Sequence, residues 1–170
     1  MSRRRIFSVV QRVAFVVIGV ILFGTFGFQA SRVDGFSMAP TLDDRDRLLI
    51  NRLIYEFSDP RPGDVVTFYY PPNPARIFVK RVIATEGHVV QIVAGRVLVD
   101  GRALNDDYVP SAFRGHDDWG PQIVEQGYEF VLGDHRNDSS DSRDWGLVPK
   151  RYILGKVDVR WWPLHDVTLF

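Results

Sequence analysis

A serine in a glycine- and proline-bounded stretch, Gly35-Phe36-Ser37-Met38-Ala39-Pro40-Thr41, is the chain's best candidate nucleophile. A serine hydroxyl is a weak nucleophile and needs an adjacent base to take its proton. Cysteine is absent, which removes thiolate catalysis, disulfides and cysteine-ligated metals from consideration. The candidate bases are His88, His116, His135, His165 and three lysines, Lys80, Lys150 and Lys156. Lys150 follows Pro149 in a turn and reads as solvent-facing, and Lys156 opens a strand behind Gly155. Lys80 differs, because it lies in the middle of Ile77-Phe78-Val79-Lys80-Arg81-Val82-Ile83. Strand alternation puts Phe78, Lys80 and Val82 on one face and Val79, Arg81 and Ile83 on the other, so one cation must point at apolar surroundings. Burial penalises the ammonium form and lowers the lysine pKa toward a range where the neutral amine serves as a base. Spacing alone does not require residues 43 apart to meet, and two other roles stay open here. Lys80 can snorkel at a sheet edge, and Ser37 can simply cap a turn.

A second polar stretch runs from Gly133 to Gly146 and holds four aspartates, two arginines and three serines. Such composition commonly means a solvated loop. A calcium loop is excluded, because the acidic ligands, central glycine and terminal glutamate are not at the required offsets. Alternating acids and arginines can instead lock a loop by ion pairs and present a hydroxyl.

The elements that must position these residues fall into two parts. Val13 to Ser31 is free of charge for 19 residues, which as a helix spans close to the ~30 Å hydrocarbon core. Basic residues crowd residues 1–12, with no acid before Asp34, which places the N-terminus in the cytoplasm. A removable signal peptide is the competing reading, but Phe28 stands where cleavage after Ala30 wants a small residue. From residue 32 onward the pattern is one of short strands and turns. Asp64–Tyr70, Arg76–Thr85, Val89–Val93, Arg96–Val99, Tyr128–Leu132 and Lys156–Trp162 read as strands. Pro71, Pro72 and Pro74 close the first of them. Residues 105–127 read as a long polar loop or insertion. The expected organisation is a basic segment 1–12, a transmembrane anchor 13–31 and a β-rich catalytic domain 32–170. The expected fold class is mainly β, an antiparallel sheet with one N-terminal transmembrane helix. A formal net charge of zero gives no reason to expect nucleic acid as a partner.

Four blocks, in order, resemble those of bacterial type I signal peptidases, membrane-bound serine proteases with a Ser-Lys dyad. They are Ser37-Met38-Ala39-Pro40-Thr41, Arg61-Pro62-Gly63-Asp64-Val65-Val66, Lys80 through Gly87, and Gly133-Asp134 through Ser139 continuing to Trp145-Gly146. The resemblance implies a β-sheet protease fold shared with the self-cleaving SOS repressors. It implies Ser37 as nucleophile and Lys80 as general base through an acyl-enzyme, with the Ser37 backbone N–H as half of the oxyanion hole. Some relatives carry a hydroxyl two residues before the nucleophile; Gly35 stands there in this chain and offers only backbone to the oxyanion-hole region. Ser139 would orient the Lys80 amine, and Asp134, Arg81, Asp141 and Arg143 would pair to hold the site. Met38, Leu42, Phe78 and Val79 would wall the substrate pockets. His135 replaces a frequent asparagine.

No cofactor and no metal are implied. The partners implied are preproteins with N-terminal signal peptides and membrane lipid, near the protein-export translocon, with the enzyme a monomer. The implied location is the cytoplasmic membrane, single-pass, with the catalytic domain on the outer face. Rival readings are a non-catalytic anchored β module that binds exported proteins, and a protease like the mitochondrial inner-membrane peptidases. An SOS repressor would need a DNA-binding helix-turn-helix where the apolar segment lies.

Overall fold

The structure, a computed structural model, describes residues 11–19, 24 and 27–170. Residues 11–19 are helical and exposed. Among the described residues no helix is long and apolar enough to cross a membrane. Residues 1–10 of the basic segment, and 20–23 and 25–26 of the expected anchor, lie outside the described residues.

The end of the expected anchor is strand rather than helix. Phe28–Arg32 forms β1 and pairs antiparallel with β2, Arg47–Asn51, setting Phe28 opposite Asn51 and Arg32 opposite Arg47. Phe28-Gln29-Ala30-Ser31 is uncharged but not continuously apolar, and the open edge of β2 gives its backbone a partner. Gly27 is already fixed to this sheet, its carbonyl accepting from the Arg52 N–H at 2.9 Å.

The main sheet continues from β2 through β11 (Ile153–Trp162), β3 (Val65–Tyr69), β4 (Ile77–Thr85) and β9 (Tyr128–Leu132) to the two-residue β10 at Val148–Pro149. A short β12, Thr168–Leu169, pairs with β11. Every pairing is antiparallel. The second sheet runs β7 (Arg102–Ala103), β6 (Arg96–Val99), β5 (Val89–Val93) and β8 (Trp119–Ile123). The two sheets pack through Ile83, Ala84, Phe130 and Leu132 against Val90, Ile92 and Val97.

Strand β8 falls inside the segment expected to be loop. Gly120 and Pro121 hide it in the sequence, since proline weakens a ladder. Here the strand sits at the edge of its sheet, where a missing donor is tolerated. The remainder of 105–127 is irregular apart from one 3-10 turn, Ser111–Phe113.

The main sheet is covered on both faces over much of its width. Val66, Phe68, Val82, Val131 and Val148 pack on one side. Val33, Met38, Leu42, Leu48, Ile50, Val65 and Val157 form a separate cluster beneath the turn that carries Ser37. This double coverage buries both cations of β4, Lys80 at 3% and Arg81 at 9% exposure, where alternation alone required only one.

Candidate active site

Ser37 lies in a turn just beyond β1. The Ala39 N–H donates to the Phe36 carbonyl and the Leu42 N–H to the Met38 carbonyl, both at 2.9 Å. Met38 and Leu42 are fully buried and hold this turn from behind. Neither is among the residues that line the cleft in front of Ser37. Their apolar side chains serve the core because the turn needs an anchor on its inner side. Gly35 adopts φ +108°, a region costly for any residue with a Cβ. Its N–H already donates to Asp44 Oδ1 at 3.0 Å, so it offers no free donor to an oxyanion. Among the described residues the Ser37 N–H donates to no protein group and is available.

Lys80 reaches the same point from β4. Its Nζ donates to Ser37 Oγ at 2.5 Å, and lies 5.4 Å from the Phe78 ring centroid. Burial is the main reason its pKa falls from 10.5 to about 8. The Asp141 and Asp134 carboxylates oppose that fall, and Arg143 adds to it. The other lysines are committed elsewhere. Lys150 pairs with Asp59 at 3.2 Å and Glu86 at 3.3 Å rather than standing free in solvent, and Lys156 pairs with Asp64 at 2.9 Å. His88 bonds Asp100. His135 is the histidine beside Ser37, and its ring addresses backbone rather than the hydroxyl.

The loop from Gly133 to Gly146 supplies the third side. Asp134 is fully buried and takes a bidentate bond from Arg81, at 2.9 and 2.6 Å. Arg81 also donates to the Gly63 carbonyl. Asp141, equally buried, pairs with Arg143 and accepts from the Gly133 N–H at 3.0 Å. It also caps the short helix Ser142–Trp145, as an acid at that position should. Both expected ion pairs are thus formed. Ser139 is close by, but its buried hydroxyl makes no hydrogen bond, so the expected bond to Lys80 is not made. Gly133 packs against Ser139 and the Ser37 carbonyl so closely that a Cβ there would overlap both.

Removing one member of a buried ion pair strands the other. Arg81→Met leaves Asp134 uncompensated and is expected to lower unfolding free energy by roughly 3–5 kcal/mol, measured by urea denaturation.

A cleft of 420 Å³ opens in front of the dyad, between residues 31–37 and 76–80. Phe78 and Val79 line it, with Phe36 and Arg32 also on its walls. The sequence reading missed one group. Arg136 is buried and bonds Asp106 at 3.0 Å, the Tyr108 hydroxyl at 3.3 Å and the Gly133 carbonyl at 3.1 Å. Arg81 stacks on the Tyr108 ring at 4.2 Å. Residues 106–108 therefore brace the site from within the presumed loop; an acid and an aromatic in a polar segment were the available signal.

A serine hydroxyl set against a buried lysine, facing a cleft on an antiparallel scaffold, is the arrangement of a serine peptidase. The family model described as signal peptidase, peptidase S26, matches residues 6–162. Signal peptidase I of Leptolyngbya laminosa is 36% identical over 163 residues, which cover 92% of this chain and 79% of that protein. Probable signal peptidase I-2 of Synechocystis is 38% identical, over 90% of this chain and 72% of its own length. The crystal structure of a signal peptidase I from Enterococcus faecalis superimposes with a TM-score of 0.53 at 29% identity, over 59% of this chain and 97% of that one. The chain belongs to the signal peptidase family, peptidase S26: it is a serine endopeptidase that removes signal peptides from preproteins.

Proposed function

We propose that Ser37 and Lys80 carry out this cleavage through an acyl-enzyme. The observation that carries the reading is the Nζ–Oγ hydrogen bond at 2.5 Å facing the cleft. Neutral Lys80 takes the Ser37 proton as Oγ attacks the scissile carbonyl. The free Ser37 N–H receives the developing oxyanion. Lys80 then passes the proton to the departing amine, leaving the signal peptide esterified to Ser37. Water, deprotonated by Lys80, hydrolyses the ester and restores the hydroxyl. Ser139 has a buried hydroxyl in need of a partner, and turning it toward Lys80 as the amine changes charge would fulfil the orienting role. Asp134 with Arg81, and Asp141 with Arg143, hold the loop that brings it there.

The segment before β1 is proposed to anchor the chain in the cytoplasmic membrane, N-terminus inside, catalytic domain outside and near the export translocon. Uncharged residues 13–27 and the basic start support this. So does the exposure of Trp162, Leu164, Val167 and Leu169, beyond a strand whose Trp162 registers with Arg47. The chain is proposed to act as a monomer.

The test is cleavage of an exported precursor in detergent across pH. Because the base works in its neutral form, kcat/KM is expected to rise with pH through about 8. A rate that falls over that interval, or no single cut behind the signal peptide, would sink the reading.

A further inference from the structure

His135 touches the nucleophile turn twice. Its backbone N–H donates to the Ser37 carbonyl at 3.1 Å. Its ring Nδ1 lies 3.2 Å from the Phe36 carbonyl oxygen. A carbonyl can only accept, so the bond requires the proton on Nδ1. The Phe36 carbonyl and the Ser37 N–H belong to the same peptide group. That group is planar and trans, so its C=O and N–H point in opposite directions. Fixing one end fixes the other. The Ser37 N–H is also the donor left free to receive the oxyanion.

We propose that His135 is a positioning residue that aims the Phe36–Ser37 peptide, and so the oxyanion-binding N–H, through its side-chain bond to the Phe36 carbonyl. The proposal rests on Ser37 being the nucleophile. A second donor on this carbonyl, besides Ala39, also polarises the amide and strengthens its N–H as a donor. The imidazole is itself braced. Phe113 meets it edge-on with ring centroids 4.4 Å apart. Phe113 is in turn pinned by the Asn137 N–H on its carbonyl, and the Asn137 side chain holds Ala112. The polar segment expected to be a mere insertion thus reaches the oxyanion donor through one aromatic contact.

The experiment compares His135→Leu, which removes the donor, with His135→Asn, which keeps an N–H at the end of a short side chain. Cleavage kinetics, thermal unfolding, and binding of two peptides are measured on the full chain in detergent. One peptide is an aldehyde, which adds the Ser37 hydroxyl and places an oxyanion-like oxygen in the hole. The other is the unreactive cleavage product. Losing an oxyanion donor outright typically costs ~10²–10³ in kcat, and a group acting through that donor should cost less, about 10-fold. His135→Leu is expected to lower kcat by that factor and weaken aldehyde binding in parallel. KM, product-peptide affinity and thermal midpoint should stay as in the parent, and His135→Asn should recover most of the loss. The inference is overturned if His135→Leu cleaves as well as the parent. It is equally overturned if both variants lose activity alike with a lowered midpoint, which would mean a purely structural role. Ser37→Ala is run alongside. Cleavage surviving in Ser37→Ala would remove the nucleophile assignment itself, whereas a dead Ser37→Ala beside a fully active His135→Leu removes only the role given to His135.

Discussion

Lys80→Met and Ser37→Ala are each expected to lower kcat/KM by at least about 10³-fold, and the double variant by no more than the worse single one. In the proposed mechanism the two groups act as one unit, so removing either leaves the other without a task. The methionine keeps the length and apolar stem of Lys80 but cannot accept a proton. Stability should move in the opposite direction. In the unfolded chain this lysine titrates near 10.5, in the folded protein near 8, so between those values the unfolded state binds more protons. Folding stability of the parent therefore rises with pH from about 8 to about 10.5. Below that window the full penalty for burying an ammonium applies. Its size, from the separation of the two values, is on the order of 3 kcal/mol. Lys80→Met should unfold at a higher temperature than the parent at neutral pH and lose the rise above pH 8. A lowered midpoint across the whole range would show that the buried Lys80 ammonium carries no such penalty. On the proposed mechanism, that cost is the counterpart of an amine that loses its proton near pH 8.

Gly133→Ala is expected to lower kcat by about 10²-fold or more while the β-sheet signature in circular dichroism persists. An alanine Cβ there has nowhere to go, because Ser37 main chain and Ser139 side chain already fill the space. The loop or the nucleophile turn must shift: the first moves Ser139 and Asp134 away from the dyad, the second moves Ser37 away from Lys80. Overpacking of this kind costs roughly 1–3 kcal/mol in stability. A variant that cleaves at the parental rate would mean the contact between the turn and the loop is unimportant. Gly115→Ala is a suitable control, since a Cβ there meets nothing closer than 3.8 Å.

The parts of the site readable from sequence were those carried by local pattern. Lys80 stood out because strand alternation left a cation among Phe78, Val79, Val82 and Ile83. The acids and arginines of residues 133–146 read as able to lock a loop, and the resemblance singled out Asp134 and Asp141 among them. Strands β3 through β6 and β9 follow β-branched and aromatic runs with turn residues between them. What failed depended on contacts distant in sequence. The packing of Met38 and Leu42 onto Val33, Leu48 and Val157 was likewise not legible, since the resemblance implied only pocket walls for them. Phe28–Ser31 read as the end of an uncharged run, and only the presence of β2 makes them strand. Arg136 and Asp106 are 30 positions apart, and no periodicity links them. His135 appeared as one candidate base among several and as a departure from asparagine; its relation to the Phe36 carbonyl is a matter of geometry.

Gly27 hands the chain directly to β1, which leads within ten residues to Ser37. With the preceding segment held in lipid as proposed, the described chain runs from Gly27 straight into the sheet. The strand then behaves as a ruler. It sets the height of the hydroxyl above the membrane, and a precursor's own apolar helix, stopped at the same bilayer surface, brings one short stretch of its chain to that height. Cut-site choice in such a device depends on distance as much as on side-chain fit. Two or three residues inserted after Gly27 would then move the cut along the precursor rather than abolish it.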